Sequence, residues 1–295
     1  MRTCWFVGLT TLDVVHRAAG RPGRDEKVTA SRQDVAAGGP AANAAVTAAA
    51  LGARAVLVTA LGSSPVARAA RADLEACGVE VHDVVAPGED FPLAVSAVLV
   101  DDATGERSVV SADAALAEAP PPTFLRDLPA PDVVLFDGHH PVIAGAAVGH
   151  LENRDPRPQV LLDAGRWRPL FAELLPVADV AAVSARFTVP GHDDVVSGTH
   201  ALGARGVVVT HGGGPVEWST GGEAGTVAVP PVDARDTLGA GDAFHGALAV
   251  ELADGATLPV ACAAANEVAS TRVAHVGPRA WLTEVRAETR AEAPR

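Results

Sequence analysis

The stretch Gly38-Gly-Pro-Ala-Ala-Asn43-Ala-Ala-Val-Thr-Ala-Ala-Ala-Leu-Gly52, followed closely by Ala55-Val-Leu-Val-Thr-Ala60, decides the fold. Pro40 suits the first turn of a helix, the alanines continue it, and Gly52 stops it. The β-branched run that follows has no polar alternation, as expected of a strand buried on both faces. The same alternation recurs along the chain. Strands are expected at Thr3–Gly8, Ala55–Ala60, Asp132–Phe136, Gln159–Asp163, Val180–Val183 and Gly206–Thr210. Helices are expected at Pro40–Leu51, Pro65–Cys77, Val142–Leu151, Arg168–Leu175 and Asp194–Leu202, and at the C-terminal runs Gly239–Ala253, Leu258–Arg272 and Arg279–Glu288. Strands separated by helices form βαβ units, hence an α/β fold with a mostly parallel sheet between two helical layers.

Two segments break this rhythm. Asp25–Ala37 and Leu93–Ser111 are strand-like with no helix between their runs, and Asp101–Glu106 reads as a turn. They are expected to form a small sheet projecting from the main body. Its period-two apolar run, Leu93, Val95, Ala97 and Leu99, must cover something, because so small a sheet is not stable alone. The prolines at 120–122 and 129–131 are local breakers, so the chain is expected to be a single domain over 1–295 with these strands inserted at 25–37 and 93–111.

Composition narrows the function. Of 295 residues, 48% are hydrophobic, which excludes a disordered chain. Aromatics make up 4% and tyrosine is absent, so Ala, Val and Leu must build the core. The net charge is −13 with one lysine, Lys27, which offers no basic stripe for nucleic acid. Three cysteines, Cys4, Cys77 and Cys262, are far apart and form no CxxC pair, which fits a reducing cytoplasm rather than a disulfide framework. The apolar run Thr3–Leu9 is too short for a signal segment, and Ala41–Leu61 is interrupted by Asn43, Thr47 and Arg54, so no membrane association is expected.

The chemistry concentrates in Asp236-Thr-Leu-Gly-Ala-Gly-Asp242-Ala-Phe-His-Gly246. Gly239, Ala240 and Gly241 precede a helical run, where small residues and free amides at a helix N-terminus suit a phosphate gaining charge during transfer. Asp242 falls in the first helical turn, placed to accept a proton from an alcohol. No Walker A lysine is present, and Phe244 breaks a GxGxxG dinucleotide fingerprint. A Gly-rich turn beginning an ordinary helix explains this segment alone equally well. Asn43, the polar residue among small ones in the first stretch, can meet a sugar hydroxyl as donor and acceptor. An Asn satisfied by backbone is the plainer reading of that residue by itself.

Together, in this order and about 200 residues apart, the two stretches resemble the paired signatures of the ribokinase, or PfkB, family of carbohydrate kinases. The resemblance runs from Gly8 to about Gly277 and implies a ribokinase-like three-layer fold whose projecting strands form a β lid over the sugar. It implies ATP as phosphoryl donor, Mg²⁺, and a monovalent cation such as K⁺ as a further candidate. By the same resemblance Asp242 is the catalytic base and Gly239, Ala240 and Gly241 are the anion hole. Asp13, Gly39 and Asn43 hold the sugar, Thr210 and Gly212 lie on the nucleotide side, and Asn266 lines the adenine pocket. Lid strands in this family pair across a two-fold axis, so a homodimer joined through the lids is expected.

The chain also departs from that pattern. Where many members carry Asn-x-x-Glu it has Ser184-Ala-Arg-Phe187, and Gly62-Ser-Ser replaces Gly-Asp-Asp. The metal ligands are therefore left open. The ketohexokinase-like and sulfofructose-kinase-like branches share the first departure, and His245-Gly-Ala-Leu-Ala-Val is similar to the latter branch. This favours a neutral ketose such as fructose, or a derivative, as substrate. Asp137-Gly-His139-His140 follows the strand at 132–136, at the carboxyl end where α/β sheets bind ligands. Asp137 and His139 are accordingly expected to face the sugar, with His140 beside them. Adjacent histidines point in different directions and do not make a zinc site. Arg166 is read as surface cover. Two alternatives stand beside the kinase: a non-catalytic sugar- or nucleotide-binding protein of the same fold, and a nucleoside or vitamin kinase. The latter needs aromatic rings that this chain hardly supplies.

Overall fold

A computed structural model describes residues 1–152 and 154–292. In chain order its strands are β1 (Thr3–Val7), β2 (Thr11–Ala18), β3 (Arg32–Gly38), β4 (Arg54–Thr59), β5 (Glu80–Asp83), β6 (Val95–Asp101), β7 (Arg107–Val110), β8 (Val133–Phe136), β9 (Gln159–Ala164), β10 (Val180–Ser184), β11 (Gly206–His211), β12 (Gly214–Ser219) and β13 (Ala224–Val227). Its α-helices are α1 (Pro40–Ala50), α2 (Pro65–Ala76), α3 (Pro141–Leu151), α4 (Phe171–Leu174), α5 (Val195–Ala201), α6 (Ala240–Ala253), α7 (Leu258–Ala274) and α8 (Leu282–Glu292).

The main sheet has nine strands in the order β13-β12-β11-β10-β9-β8-β1-β4-β5. It is parallel from β11 to β5, and the last two strands at the other edge are antiparallel. Alternate side chains of each central strand enter opposite cores, as the two-residue period requires. Phe6, Leu57, Leu135 and Ala182 pack under α1, α2, α6, α7 and α8. Trp5, Val58, Phe136 and Val183 pack under α3, α4 and the start of α5.

The alanines of α1 let a second helix come unusually close. Gly246 of α6 sits against α1 so tightly that a Cβ there would meet the Ala44 carbonyl oxygen and the Thr47 Cβ. This contact lies one turn beyond Asp242 and one residue beyond Asn43, so it sets the distance between those two side chains.

The projecting sheet is confirmed, but its membership differs from the expectation. Its four strands run in the order β3-β2-β6-β7. Residues 25–31 contribute no strand, whereas Thr11–Ala18 does. The polar side chains of β2 hid it: Asp13 and Arg17 alternate with Val14 and His16, and face the main body instead of solvent. The inner face of this lid closes a cluster of Val15, Val98 and Val100 onto Leu238 of the Gly-rich loop. On its outer face Val35, Val14, Ala97 and Val110 form one row across all four strands. Short β5 and the β12–β13 hairpin were also absent from the sequence reading, and Arg168–Leu175 holds only the four-residue α4. Among the described residues no helix is long and apolar enough to cross a membrane.

Candidate active site

Gly239, in the left-handed conformation (φ 72°), turns the chain from the lid-contacting loop into α6. Ala240, Gly241 and Asp242 then form the first turn, where amide N–H groups lack helical acceptors and the dipole is positive. The loop before them is held by Asp236, which is almost wholly buried. Its Oδ1 accepts from the Leu238 amide and its Oδ2 from the Gly277 amide, both at 3.0 Å. The Arg272 and Arg17 guanidinium groups lie 3.5 and 3.7 Å from the same carboxylate. From the lid, Arg107 donates to the Thr237 carbonyl and hydroxyl oxygens at 3.2 Å. The lid and the Gly-rich turn are thus fastened to one another.

Asp242 Oδ2 accepts a 2.8 Å hydrogen bond from Asn43 Nδ2. Burial, reinforced by the nearby Asp163 charge, pushes the Asp242 carboxyl up to about 7, while the Asn43 bond, His245 and Arg107 act against that rise. A base that titrates near neutral pH suits proton abstraction from an alcohol. Behind it, His245 Nδ1 stands 2.9 Å from Asp163 Oδ2 at the end of β9. Burial opposes a charge on His245, but Asp163 and Asp242 prevail and its pKa is raised.

Asp13, on the inner face of the lid, shares one pocket with Asn43, Gly239, Arg272 and Arg279. Its Oδ1 accepts from the Thr11 hydroxyl at 2.6 Å, and burial raises its pKa against the Thr11 and Ser96 bonds and the Arg279 charge. Gly39 precedes α1 with φ 96°, packed so that a Cβ would strike the Leu9 carbonyl. The structure therefore brings together Asp13, Gly39, Asn43, Gly239, Ala240, Gly241 and Asp242 from opposite ends of the chain.

One sequence assignment needs correction. Asp137 does not face the pocket. Its side chain is fully buried, with Oδ2 accepting from the Leu9 and Ala41 amides at 2.8 and 3.1 Å and Oδ1 from the His139 amide at 2.9 Å. Desolvation opposes its ionisation most strongly, but the neighbouring His139 ring and these bonds together outweigh it and lower its pKa to about 2. It braces the turn that leads from β8. Asn266 is buried too, and its Nδ2 donates to the Ala228 carbonyl at 3.2 Å. It fastens the chain after β13.

Of the other candidates, His139 is buried, with Nδ1 3.1 Å from Asp137 Oδ1, and neither ring nitrogen makes a hydrogen bond among the described residues. His140 caps α3 in the left-handed conformation and lines a small cavity with Thr10, Phe91 and Leu93. Burial lowers its pKa, which keeps it neutral. Thr210 and Gly212 lie at the end of β11 and in the open turn to β12. Arg166 is exposed, 3.6 Å from Asp113. Arg17, Arg272, Arg279, Asp73 and Asp163 were not found from sequence. A lone Arg or Asp in a helix or strand reads as surface until its buried partner is known.

Among the described residues, no group of three or more acidic, His or Cys side chains is close enough to hold a metal ion. Ser184 Oγ, at the departure from Asn-x-x-Glu, donates to the Gly165 carbonyl and accepts from the Arg186 amide. A dedicated all-protein Mg²⁺ cage does not fit these residues. Mg²⁺ that arrives on nucleotide phosphates needs only one or two carboxylates from a protein.

A family model described as pfkB family carbohydrate kinase matches residues 1–284. The ribokinase of Bacillus subtilis (strain 168) is 28% identical over 288 residues, covering 96% of this chain and 96% of that protein. Among solved structures, Arabidopsis thaliana ribokinase complexed with ribose and ATP superposes with a TM-score of 0.77 at 23% identity, over 97% of this chain and 99% of that one. Ribokinase from Thermotoga maritima gives a TM-score of 0.74 at 20% identity, over 99% and 100%.

Proposed function

We propose, because this chain belongs to the pfkB family of carbohydrate kinases, that Asp242 is the base that activates a hydroxyl of a neutral sugar. Membership makes the protein an ATP-dependent sugar phosphotransferase. The proposal concerns which residues act and on what. The single observation that carries it is the Asn43–Asp242 hydrogen bond of 2.8 Å at the first turn of α6, which joins both signature stretches at one point.

In this reading Asp13 and Asn43 orient the sugar hydroxyls. Asp242 takes the proton of the acceptor hydroxyl as its oxygen attacks the γ-phosphorus in line. The amides of Gly239–Asp242 hold the phosphoryl oxygens, and ADP leaves towards Thr210 and Gly212. Mg²⁺, when bound, supplies charge neutralisation at the phosphates, and no step here depends on a protein ligand to it. K⁺ is included in the assay as a family expectation.

The pocket argues for a neutral substrate. Arg279 is engaged by Asp73 at 2.8 Å and Arg272 by Asp236 at 3.5 Å, so neither is left as a free cation for an anionic substituent. The candidate acceptors are a ketose such as fructose, from the branch features of the sequence, and ribose, the sugar implied by the name of the Bacillus subtilis relative. We read the whole chain as one unit, acting in the cytoplasm. The apolar row on the outer lid face supports pairing with a second copy, because Val35 and Val110 are 53% and 76% exposed there.

ADP release is measured with ATP, Mg²⁺ and K⁺ against ribose, fructose, an anionic ketose and nucleosides. Turnover of ribose or fructose is expected, and Asp242→Asn should reduce kcat by several orders of magnitude while sugar binding survives. Near-normal turnover by that variant would refute the assignment of the base. Preference for the anionic ketose or a nucleoside would overturn the neutral-sugar reading.

A further inference from the structure

Asn43 is bonded on both sides of its amide. While Nδ2 donates to Asp242, its Oδ1 accepts from Arg279 Nη1 at 3.3 Å. Arg279 is itself immobilised. Its Nε and Nη2 donate to Asp73 Oδ2 at 3.2 and 2.8 Å, and Nη2 also donates to the Ala37 carbonyl at 2.8 Å. The Ala37 amide donates back to the same Asp73 oxygen at 3.0 Å. A continuous line of hydrogen bonds therefore runs from α2, across the root of the lid at β3, through the segment before α8, to α1 and on to the first turn of α6.

We propose that Arg279, clamped by Asp73, is a positioning residue that fixes the orientation of the Asn43 amide and thereby keeps a donor directed at the catalytic carboxylate. A primary amide has one acceptor end and one donor end. A guanidinium has donors only, so it admits only the oxygen of Asn43 on its side. The NH₂ end must then face Asp242. Were the amide free to rotate, its oxygen could turn to accept from a protonated Asp242, and that arrangement would favour the protonated and therefore inactive form of the base. The clamp also leaves Asp242 Oδ1 free of Asn43 and available for the hydroxyl proton. The inference rests on the reading of Asp242 as the base.

The groups that act on Asp242 are known from every element around it. They are Asn43 on α1, Asp163 on β9, His245 on its own helix, Arg107 on β7 and Arg272 on α7. Arg279 reaches it through Asn43. Arg279 also lowers the pKa of Asp13, so the test must separate the two routes.

The pH dependence of kcat is measured for wild type, Arg279→Met, Arg279→Lys, Asn43→Ala and the double variant Asn43→Ala/Arg279→Met, with Asp242→Asn as control. Arg279→Met should lower kcat about tenfold and move the acid limb up by about half to one pH unit. Arg279→Lys, which keeps a cationic donor, should restore much of both. In the Asn43→Ala background, Arg279→Met should move the acid limb no further, because the intermediary is gone. An unmoved limb in Arg279→Met with Asp242→Asn inactive would refute the relay and leave the base assignment standing. A limb that still moves in the Asn43→Ala background would route the effect through Asp13 and equally refute it. Full activity of Asp242→Asn would instead remove the premise.

Discussion

Gly246→Ala adds one methyl group where α1 and α6 touch, and the structure sets its cost. The new Cβ would stand far inside contact distance of the Ala44 carbonyl and the Thr47 Cβ, and both of these belong to a buried helix that cannot swing aside as a flexible side chain would. To reach an ordinary contact, the helices must part by roughly 1 Å locally, and overpacking of that kind costs about 1–3 kcal/mol. Alanine's better helix propensity returns about 1 kcal/mol at most. The separation acts directly on the Asn43–Asp242 bond of 2.8 Å, which would stretch past hydrogen-bonding length. Loss of a bond to a charged acceptor costs a further ~1.5–3 kcal/mol. The net expectation is a fold weakened by about 1.5–5 kcal/mol, hence a Tm lower by roughly 3–20 °C at ~2–4 °C per kcal/mol. Displacement of a catalytic group by ~1 Å costs about a hundredfold in rate. The assay is thermal unfolding beside steady-state kinetics, read below the variant's own Tm. Wild-type melting together with wild-type kcat/KM would refute the claim that this contact sets the site. Lower Tm with unchanged kcat/KM would show that helix spacing and site geometry are independent.

Two further expectations follow from charge and from the lid. Asp242 has a pKa raised from 3.8 to about 7, so its folded form resists ionisation, and the fold loses stability as pH rises from about 4 to 7. Asp242→Asn should therefore melt a few degrees above wild type at pH 8, with the difference vanishing below pH 4; a variant that melts lower at pH 8 would contradict the raised pKa. Roughly 4 kcal/mol is the ceiling for that gain, reduced because the carboxyl is only half-buried. For assembly, the protein should sediment as a dimer at micromolar concentration and Val110→Lys should shift it towards monomer; a monomeric wild type would refute pairing through the lids.

How much of this was legible in the sequence depended on what each residue touches. The main sheet was legible because its strands are apolar on both faces and its helices are capped by proline and closed by glycine. Asn43 and Asp242 were legible because each lies in a stretch with a distinctive run of small residues, and the structure joins the two. Thr11–Ala18 was not legible as a strand, since Asp13 and Arg17 face the site instead of solvent and break the usual alternation of apolar-in and polar-out. Asp137 was misread for a related reason. An Asp at the carboxyl end of a strand looks like a ligand group, but its two oxygens serve three backbone amides that no sequence pattern announces. Arg279 offered no signal at all, because its meaning lies in Asp73 and Asn43, hundreds of residues away.

The pairing of charges explains which of the site's acids can do chemistry. Asp73 has Arg279 at 2.8 Å, Asp236 has Arg272 at 3.5 Å with Arg17 behind it, and Asp163 has His245 at 2.9 Å. Each of these acids is held by a cation and serves to place something else: the Asn43 amide, the Gly-rich loop, the floor beneath α6. Among the described residues Asp13 and Asp242 have no cation in salt-bridge contact, and burial raises the pKa of both. A carboxylate in that state gains most from a ligand that donates hydrogen bonds without bringing charge, and a sugar polyol is such a ligand. A positively charged substrate would be attracted as well, but it would lower the pKa of Asp242 and weaken it as a base. A negatively charged one would meet two acids whose nearest cations are already engaged. The distribution of partners among five carboxylates is thus what the proposal of a neutral polyhydroxyl acceptor, with Asp242 as the base, would require.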